Sequence, residues 1–422
     1  MARKSLLIIA AEIDDAAAVQ VKALLASMTL APGQADPANP LIPFGQIASI
    51  HFARFVVLED PSLGDRAGIT DLPVSEPTRL ALMVDGDGAA GDMLEQLVAR
   101  AAPGLAQIFA HCDPSVTAQN IGEWMHRHRI RAAAQYANAP SRTALQAREE
   151  AALHDALLSV RLAHPGASPK ELWPHLKAAA ASVVLSPQVQ PSFAQRIKNF
   201  AHMLSVPVLA VALLPAFLLA LPILIWMLRK REKVDPVIAP RPLRARNAML
   251  SGIEDHDVAN QYSAIGSLKP GRFRRWLTIV ILFVINWGSQ HIFSRGRLAR
   301  VNTIHFASWT FLDDKRRIFF ASNYDGSREA YNDDFINKVA FGLNLSFSNG
   351  LGYPRTDWLV KGGAQHEQDF KWYLFHHQIP TQLWYNAFRG LTTYEMARNA
   401  RLRAAIEQTP SGDALARLVA EI

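Results

Sequence analysis

Two histidines, His51 and His305, open the same four-residue string, Ile-His-Phe-Ala, and each string is followed by an Asp-Gly pair, Asp87-Gly88 and Asp325-Gly326. A neutral imidazole beside small and aromatic residues could line a cofactor cavity and bind a metal through a ring nitrogen. An aspartate at a cavity mouth becomes an acid–base group when burial lifts its pKa towards neutrality. Around the second copy the chain is richer in polar and aromatic side chains: SNYDGSREAYNDDF stands where the first copy has VDGDGAAGDMLEQL. The catalytic candidates are therefore Asp325, Asn323, Tyr324 and Arg328. His376-His377 and Trp384-Tyr385-Asn386 form a second cluster, so His305, His377, Trp309 and Tyr385 are the candidates for holding a cofactor, with His305 and His377 as metal ligands. Each has a plainer reading. A histidine inherited by both copies is a hydrogen-bonded structural residue, and Asp-Gly after a strand is a turn with a helix cap. There is no HExxH, P-loop, dinucleotide fingerprint or nucleophile elbow.

The elements that must position these residues recur at constant spacing. Arg79–Val98 aligns without gaps to Arg317–Ile336, and Gly104-Leu105 falls on Gly342-Leu343 at the same offset. His128, Ile130, Tyr136 and Thr143 match His377, Ile379, Tyr385 and Thr392 at a slightly larger one. Hydrophobic spacing predicts a strand over 5–13, a helix over 16–28, strands over 46–59 and 79–85, a helix over 89–110, then a short helix and a fourth strand within 121–136. In the second half it predicts a strand over 261–268, a helix over 276–293, strands either side of the polar hinge at 313–316, helices over 329–347 and 393–407, and a strand over 378–388. The order is that of a split βαβ, or ferredoxin-like, unit. The expected fold is α+β: two ferredoxin-like repeats forming an α+β barrel-like pair, residues 1–144 and 260–422. Between them lie a helical linker (145–205), a hydrophobic segment (206–228) and a basic connector (229–259).

The hydrophobic segment, VPVLAVALLPAFLLALPILIWML, carries no charge and is long enough to span a bilayer. Arg229-Lys230-Arg231 closes it, which assigns that end to the cytoplasm. If the halves pair as one unit they must lie on the same side. The segment then folds back at Pro215, or the chain returns through 276–293, or attachment is monotopic; we read 276–293 as a domain helix and expect monotopic attachment. Two ordinary transmembrane helices are the alternative. Basic residues across 229–275 make anionic lipid the expected partner besides the bilayer. No aromatic interleaving suggests nucleic acid. The net charge of +7 is concentrated in that block, and one cysteine, Cys112, excludes an internal disulfide. Oligomerisation is left open. The main domains are expected at the membrane on the cytoplasmic face.

The duplicated split-βαβ pattern resembles the dimeric α+β barrel superfamily, and within it the dye-decolourising peroxidases. Those proteins carry a GxxDG motif; Ser322-Asn323-Tyr324-Asp325-Gly326 is similar to it, with Ser in place of the first Gly. The resemblance implies haem in the second half, Asp325 on its distal side, and His305 or His377 on the iron. The function expected on that basis is a membrane-attached, haem-dependent, peroxidase-like oxidoreductase acting on apolar or lipid-derived substrates. The alternative is a non-catalytic membrane-anchored binding or scaffold protein on the same fold.

Overall fold

The structure is a computed structural model and describes residues 4–67, 72–188, 191–236, 238, 241–293, 296, 298 and 300–422. The chain is α+β. In the first half, strand β1 (Lys4–Glu12), helix α1 (Asp15–Ala26), strands β2 (Ile50–Leu58) and β3 (Arg79–Asp87), helices α2 (Ala90–Phe109) and α3 (Ile121–Arg127) and strand β4 (Ala134–Ala137) follow one another. Helices α4 (Ala144–Ala163), α5 (Pro169–Ala181), α6 (Phe193–Val234) and α7 (Arg244–Ser251) lead to the second half. There β5 (Ala259–Ser267), α8 (Arg272–His291), β6 (Ile304–Leu312), β7 (Arg317–Asp325), α9 (Arg328–Phe347), α10 (Glu367–His377), β8 (Leu383–Asn386), α11 (Thr393–Glu407) and α12 (Gly412–Glu421) complete the chain.

The strands form two main sheets. In one, β8, β2, β3 and β1 are neighbours, with the short strands Thr29–Ala31 and Gln34–Ala35 beyond β8 and Arg129–Ile130 beyond β1. In the other the order is β4-β6-β7-β5. The fourth strand of each half thus joins the other half's sheet. Tyr136 of β4 lies opposite Ala307, and Tyr385 of β8 lies opposite Ala53.

Both sheets are covered on both faces, which is why their strands read as nearly unbroken apolar runs. Along β1, Leu7, Ile9 and Ala11 pack under α1 and α2, with Leu25, Leu97 and Leu105. The alternate residues Ile8 and Ala10 meet Phe319, Ala321 and Ile265 of the facing sheet. On β7, Ile318, Phe320 and Tyr324 point to the layer of α8 and α9. The result is four layers: helix, sheet, sheet, helix. Helices α2 and α9 each break helical geometry at one interior residue, Ala101 (φ −141°) and Val339 (φ −145°).

The linker over 145–205 is helical as expected: it holds α4 and α5, and α5 starts at a Ser168–Glu171 capping box with Pro169 at its first position. Several sequence expectations are corrected. The strand expected over 378–388 shortens to β8, because Gln378 is spent capping α10 and bonding Glu254. Helix α6 runs through Pro215 without a turn, so there is no re-entrant hairpin. Helix α8 packs against β4 and the second sheet, with Thr278, Leu282, Gly288 and Ser289 buried.

Candidate functional site

The two conspicuous histidines take matching positions for a reason not visible in sequence. Each is the extra residue of a β-bulge: Ile50 and Phe52 pair with Gly86 and Asp85, skipping His51, and Ile304 and Phe306 pair with Tyr324 and Asn323, skipping His305. A bulge re-aims its side chain, and here it turns each imidazole onto the aspartate that ends the neighbouring strand. His51 Nε2 lies 3.0 Å from Asp87 Oδ1, and His305 Nε2 lies 2.6 Å from Asp325 Oδ1. The other carboxylate oxygen accepts a backbone N–H at the start of a helix: Ala144 N for Asp87 and Thr393 N for Asp325, both at 2.8 Å. These are the first residues of α4 and α11, whose caps Thr143 and Thr392 close capping boxes with Gln146 and Glu395. A carboxylate there also meets the positive end of the helix dipole.

The surroundings of the two aspartates differ at the paired strand position. Opposite Asp87 stands Lys4; opposite Asp325 stands Ala259. The Lys4 ammonium is 2.6 Å from His51 Nε2 and 2.5 Å from Asp87 Oδ1, and it also donates to the Arg142 carbonyl. An ammonium can only donate, so Nε2 of His51 is an acceptor and the ring proton sits on Nδ1. Without a lysine, His305 Nε2–H donates to Asp325, and its Nδ1 has no hydrogen-bond partner among the described residues. Burial and the Lys4 charge lower the His51 pKa to about 4, and burial lowers Lys4 to about 8. Both histidines line a cavity of about 240 Å³ with Lys4, Arg142, Phe306 and Thr393.

Asn323, expected beside Asp325, belongs instead to a polar network between the sheets. Buried Arg54 donates to Asn323 Oδ1 (2.5 Å), Ser322 O (2.9 Å) and Tyr262 O (2.7 Å). Asn323 Nδ2 donates to Asp85 Oδ2 at 3.1 Å, and Trp384 Nε1 donates to Asn323 Oδ1 at 2.9 Å. Burial raises Asp85 to about 7 and lowers Arg54 to about 10. Both shifts express one cause: burial disfavours the charged forms, and the attraction between Asp85 and Arg54 offsets it only in part. Tyr324 and Arg328 lie on the opposite face. Tyr324 stacks on Tyr331 at 4.0 Å, and Arg328 sits over Phe375 with Glu254 at 3.7 Å. The four residues expected to act together are thus divided by the second sheet. Tyr385 is remote from all of them, stacked on Phe44 in the first-half core.

Under α8 and α9, against the outer face of the second sheet, lies an apolar cavity of about 290 Å³. Trp309 and His377, two of the expected cofactor residues, meet there with Phe320 and Phe347. Four buried polar atoms of its lining residues have no hydrogen-bond partner among the described residues: Trp309 Nε1, Asn332 Nδ2, Ser289 Oγ and His377 Nε2. His377 Nδ1 lies 2.8 Å from the Tyr373 carbonyl, so it carries the proton and Nε2 has a free lone pair. Burial and the adjoining His376 lower its pKa to about 4. Gly266 makes room for this ring: a Cβ there would stand 2.3 Å from His377 Cδ2. Val284, Ile292 and Phe341, which line the cavity, are also exposed at the surface.

A haem does not fit the cavity at His377. His377 could face an iron, but the lining has no Arg or Lys for the two propionates. The expected distal acid, Asp325, is engaged with His305 and Thr393 at the other cavity, which shares no lining residue with this one. Among the described residues no three His, Cys, Asp or Glu side chains converge as a metal site. Comparison with known proteins returns no matching family model, no matching curated protein and no matching solved structure.

Sequence reasoning missed Lys4, Arg54, Asp85, Ser289 and Asn332. Arg54 alone left a trace: it is the one charge inside the apolar run IHFARFVVL, and a charge buried in a strand must be met by partners.

Proposed function

We propose that this is a membrane-attached binding protein that takes up an apolar molecule from the bilayer into the cavity beneath α8 and α9, with its main body on the cytoplasmic face. The cavity carries this reading. Small-molecule sites are mostly apolar with a few convergent polar groups, and this one offers two N–H donors, a hydroxyl and an imidazole acceptor on an otherwise apolar lining. That set suits a lipid-derived molecule ending in an oxygen function that both accepts and donates. The supply is adjacent. Trp287, Gly288 and Ile292 of α8 line the cavity, and α8 packs along α6, the helix long and apolar enough to cross a membrane. Basic residues flank the apolar stretch of α6, Arg196 and Lys198 before it and Arg229, Lys230 and Arg231 after it, which suits the anionic cytoplasmic surface.

The fold belongs to the same proposal: the halves are copies of one ferredoxin-like unit that exchanged their fourth strands. The matching bulges, Asp–helix contacts and kinks at Ala101 and Val339 support this. On this reading the two His–Asp pairs are joints of the fold, and Ala259 stands where the second copy would carry the counterpart of Lys4.

The test is extraction of the purified protein and identification of what co-purifies. Gly288→Phe should empty the site by filling it, since the nearest side-chain atom to a Cβ at 288 is 3.8 Å away. Gly266→Ala should weaken retention by displacing His377. Equal amounts of apolar compound in wild type and both variants would refute the proposal, and a Soret band in the detergent-extracted protein would restore the haem reading.

A further inference from the structure

We infer that α6 is embedded in one leaflet of an anionic bilayer without crossing it, so that both its ends and both halves of the protein stay on one side. The inference rests on the proposed membrane attachment but not on the ligand cavity.

By composition alone the segment 206–228 should cross: it is uncharged, and a helix of that length spans about 34 Å, against a hydrocarbon core of about 30 Å. Its most apolar stretch has no buried residue, and Val208, Leu214, Leu219, Ile223 and Trp226 are exposed. Such a surface needs lipid around it.

The connections at its two ends oppose a crossing. Before the apolar stretch, His202 Nδ1 lies 2.6 Å from His291 Nε2, and the His202 carbonyl accepts from Trp287 Nε1 at 3.2 Å; both partners are on α8. Beyond it, the buried Glu232 carboxylate accepts from Thr356 Oγ1, Trp358 N and Leu359 N. Asp235 then accepts from Lys269 Nζ at 2.7 Å and Arg274 Nη2 at 2.6 Å, and Arg274 lies at the other end of α8. Both ends of the segment are therefore fastened to one body. That body cannot be divided by a membrane, because β4 of the first half pairs with β6, β8 of the second pairs with β2, and Arg54 bridges the facing sheets. A return crossing through α8 would bury Arg274, Thr278 and Ser289 in lipid, whereas they are turned into the protein.

Charge agrees with this geometry. Positive residues mark the cytoplasmic end of a crossing helix, yet α6 has them at both ends: Arg196 and Lys198 before, Lys230 and Lys233 after, all exposed. No Asp or Glu occurs from 172 to 231. Both flanks therefore suit the same anionic surface. The exposed Trp276, Val280 and Phe283 of α8 extend the apolar footprint.

The experiment is thiol labelling of the full chain in sealed membrane vesicles of both orientations. In a Cys112→Ser background, single cysteines are placed by Arg196→Cys and Lys230→Cys beside the segment and by Gln20→Cys and Gln368→Cys in the two halves. A membrane-impermeant maleimide should label all four from one side only. If Arg196→Cys and Lys230→Cys label from opposite sides, the helix crosses and the inference is overturned, while ligand binding stays intact. Recovery of the protein in the soluble fraction overturns attachment itself, and with it this inference.

Discussion

At the scale of single residues, the interior between the sheets holds an incompletely compensated charge pair. Asp85 has a folded pKa of about 7, against 3.8 for an ordinary aspartate, because it is buried. The folded chain holds that proton more tightly than the unfolded chain does. The contribution is therefore fully present below about pH 4 and lost as the pH rises through 7, at up to roughly 1 kcal/mol per pH unit. Thermal unfolding followed from pH 4 to 8 in wild type and in Asp85→Asn should show that loss as the difference between the two profiles. An unchanged slope in the variant would show that Asp85 is ionised and fully paired. His51 acts in the opposite direction. Its pKa is lowered from 6.5 to about 4, so its contribution is complete above 6.5 and is lost as the pH falls towards 4. Between about pH 4 and 6.5 the two slopes are opposite and nearly cancel, so a net loss from the pair is left only between about pH 6.5 and 7.

At the scale of elements, the turn joining β6 and β7 is under backbone strain. Asp313, Asp314 and Lys315 all have positive φ, 50°, 51° and 63°. Residues with a Cβ are disfavoured there. Asp313 is retained because Arg79 Nη2 and Arg317 Nε donate to its two oxygens, at 3.0 and 2.6 Å. Lys315 is exposed, with no such tie among the described residues. Lys315→Gly should therefore raise stability by about 1 kcal/mol, read as a higher midpoint in denaturant. An unchanged or lower midpoint would mean that the turn relaxes without cost. The hinge was legible in sequence as a polar break between two apolar runs. Its left-handed geometry was not, because it follows from the register with which β6 meets β7.

At the scale of the whole molecule, the halves are held together by the strand each contributes to the other's sheet, by the packing between sheets and by α4 against α11. That association should therefore survive a cut in the link between them. A protease site introduced at Gln188, which is exposed between α5 and α6, should yield two fragments that co-elute under native conditions and separate only in denaturant. Separation in detergent alone would mean that the strand exchange contributes little to cohesion.

The sequence by itself determined the α+β class, the order of the main strands and helices and the apolar helix. Those are consequences of local periodicity, capping chemistry and spacing, which are written along the chain. Only the tertiary structure decided which candidate residues meet. Alternation sent Asp325 and Tyr324 to opposite faces of one strand. Two bulges turned His51 and His305 onto their aspartates, and the pairing of β8 with β2 carried Tyr385 into the other half's core. The same pairing between the halves decided how the apolar helix can sit. Hydropathy measures the transfer of a segment into lipid, and it contains nothing about whether the two ends of that segment belong to one indivisible body.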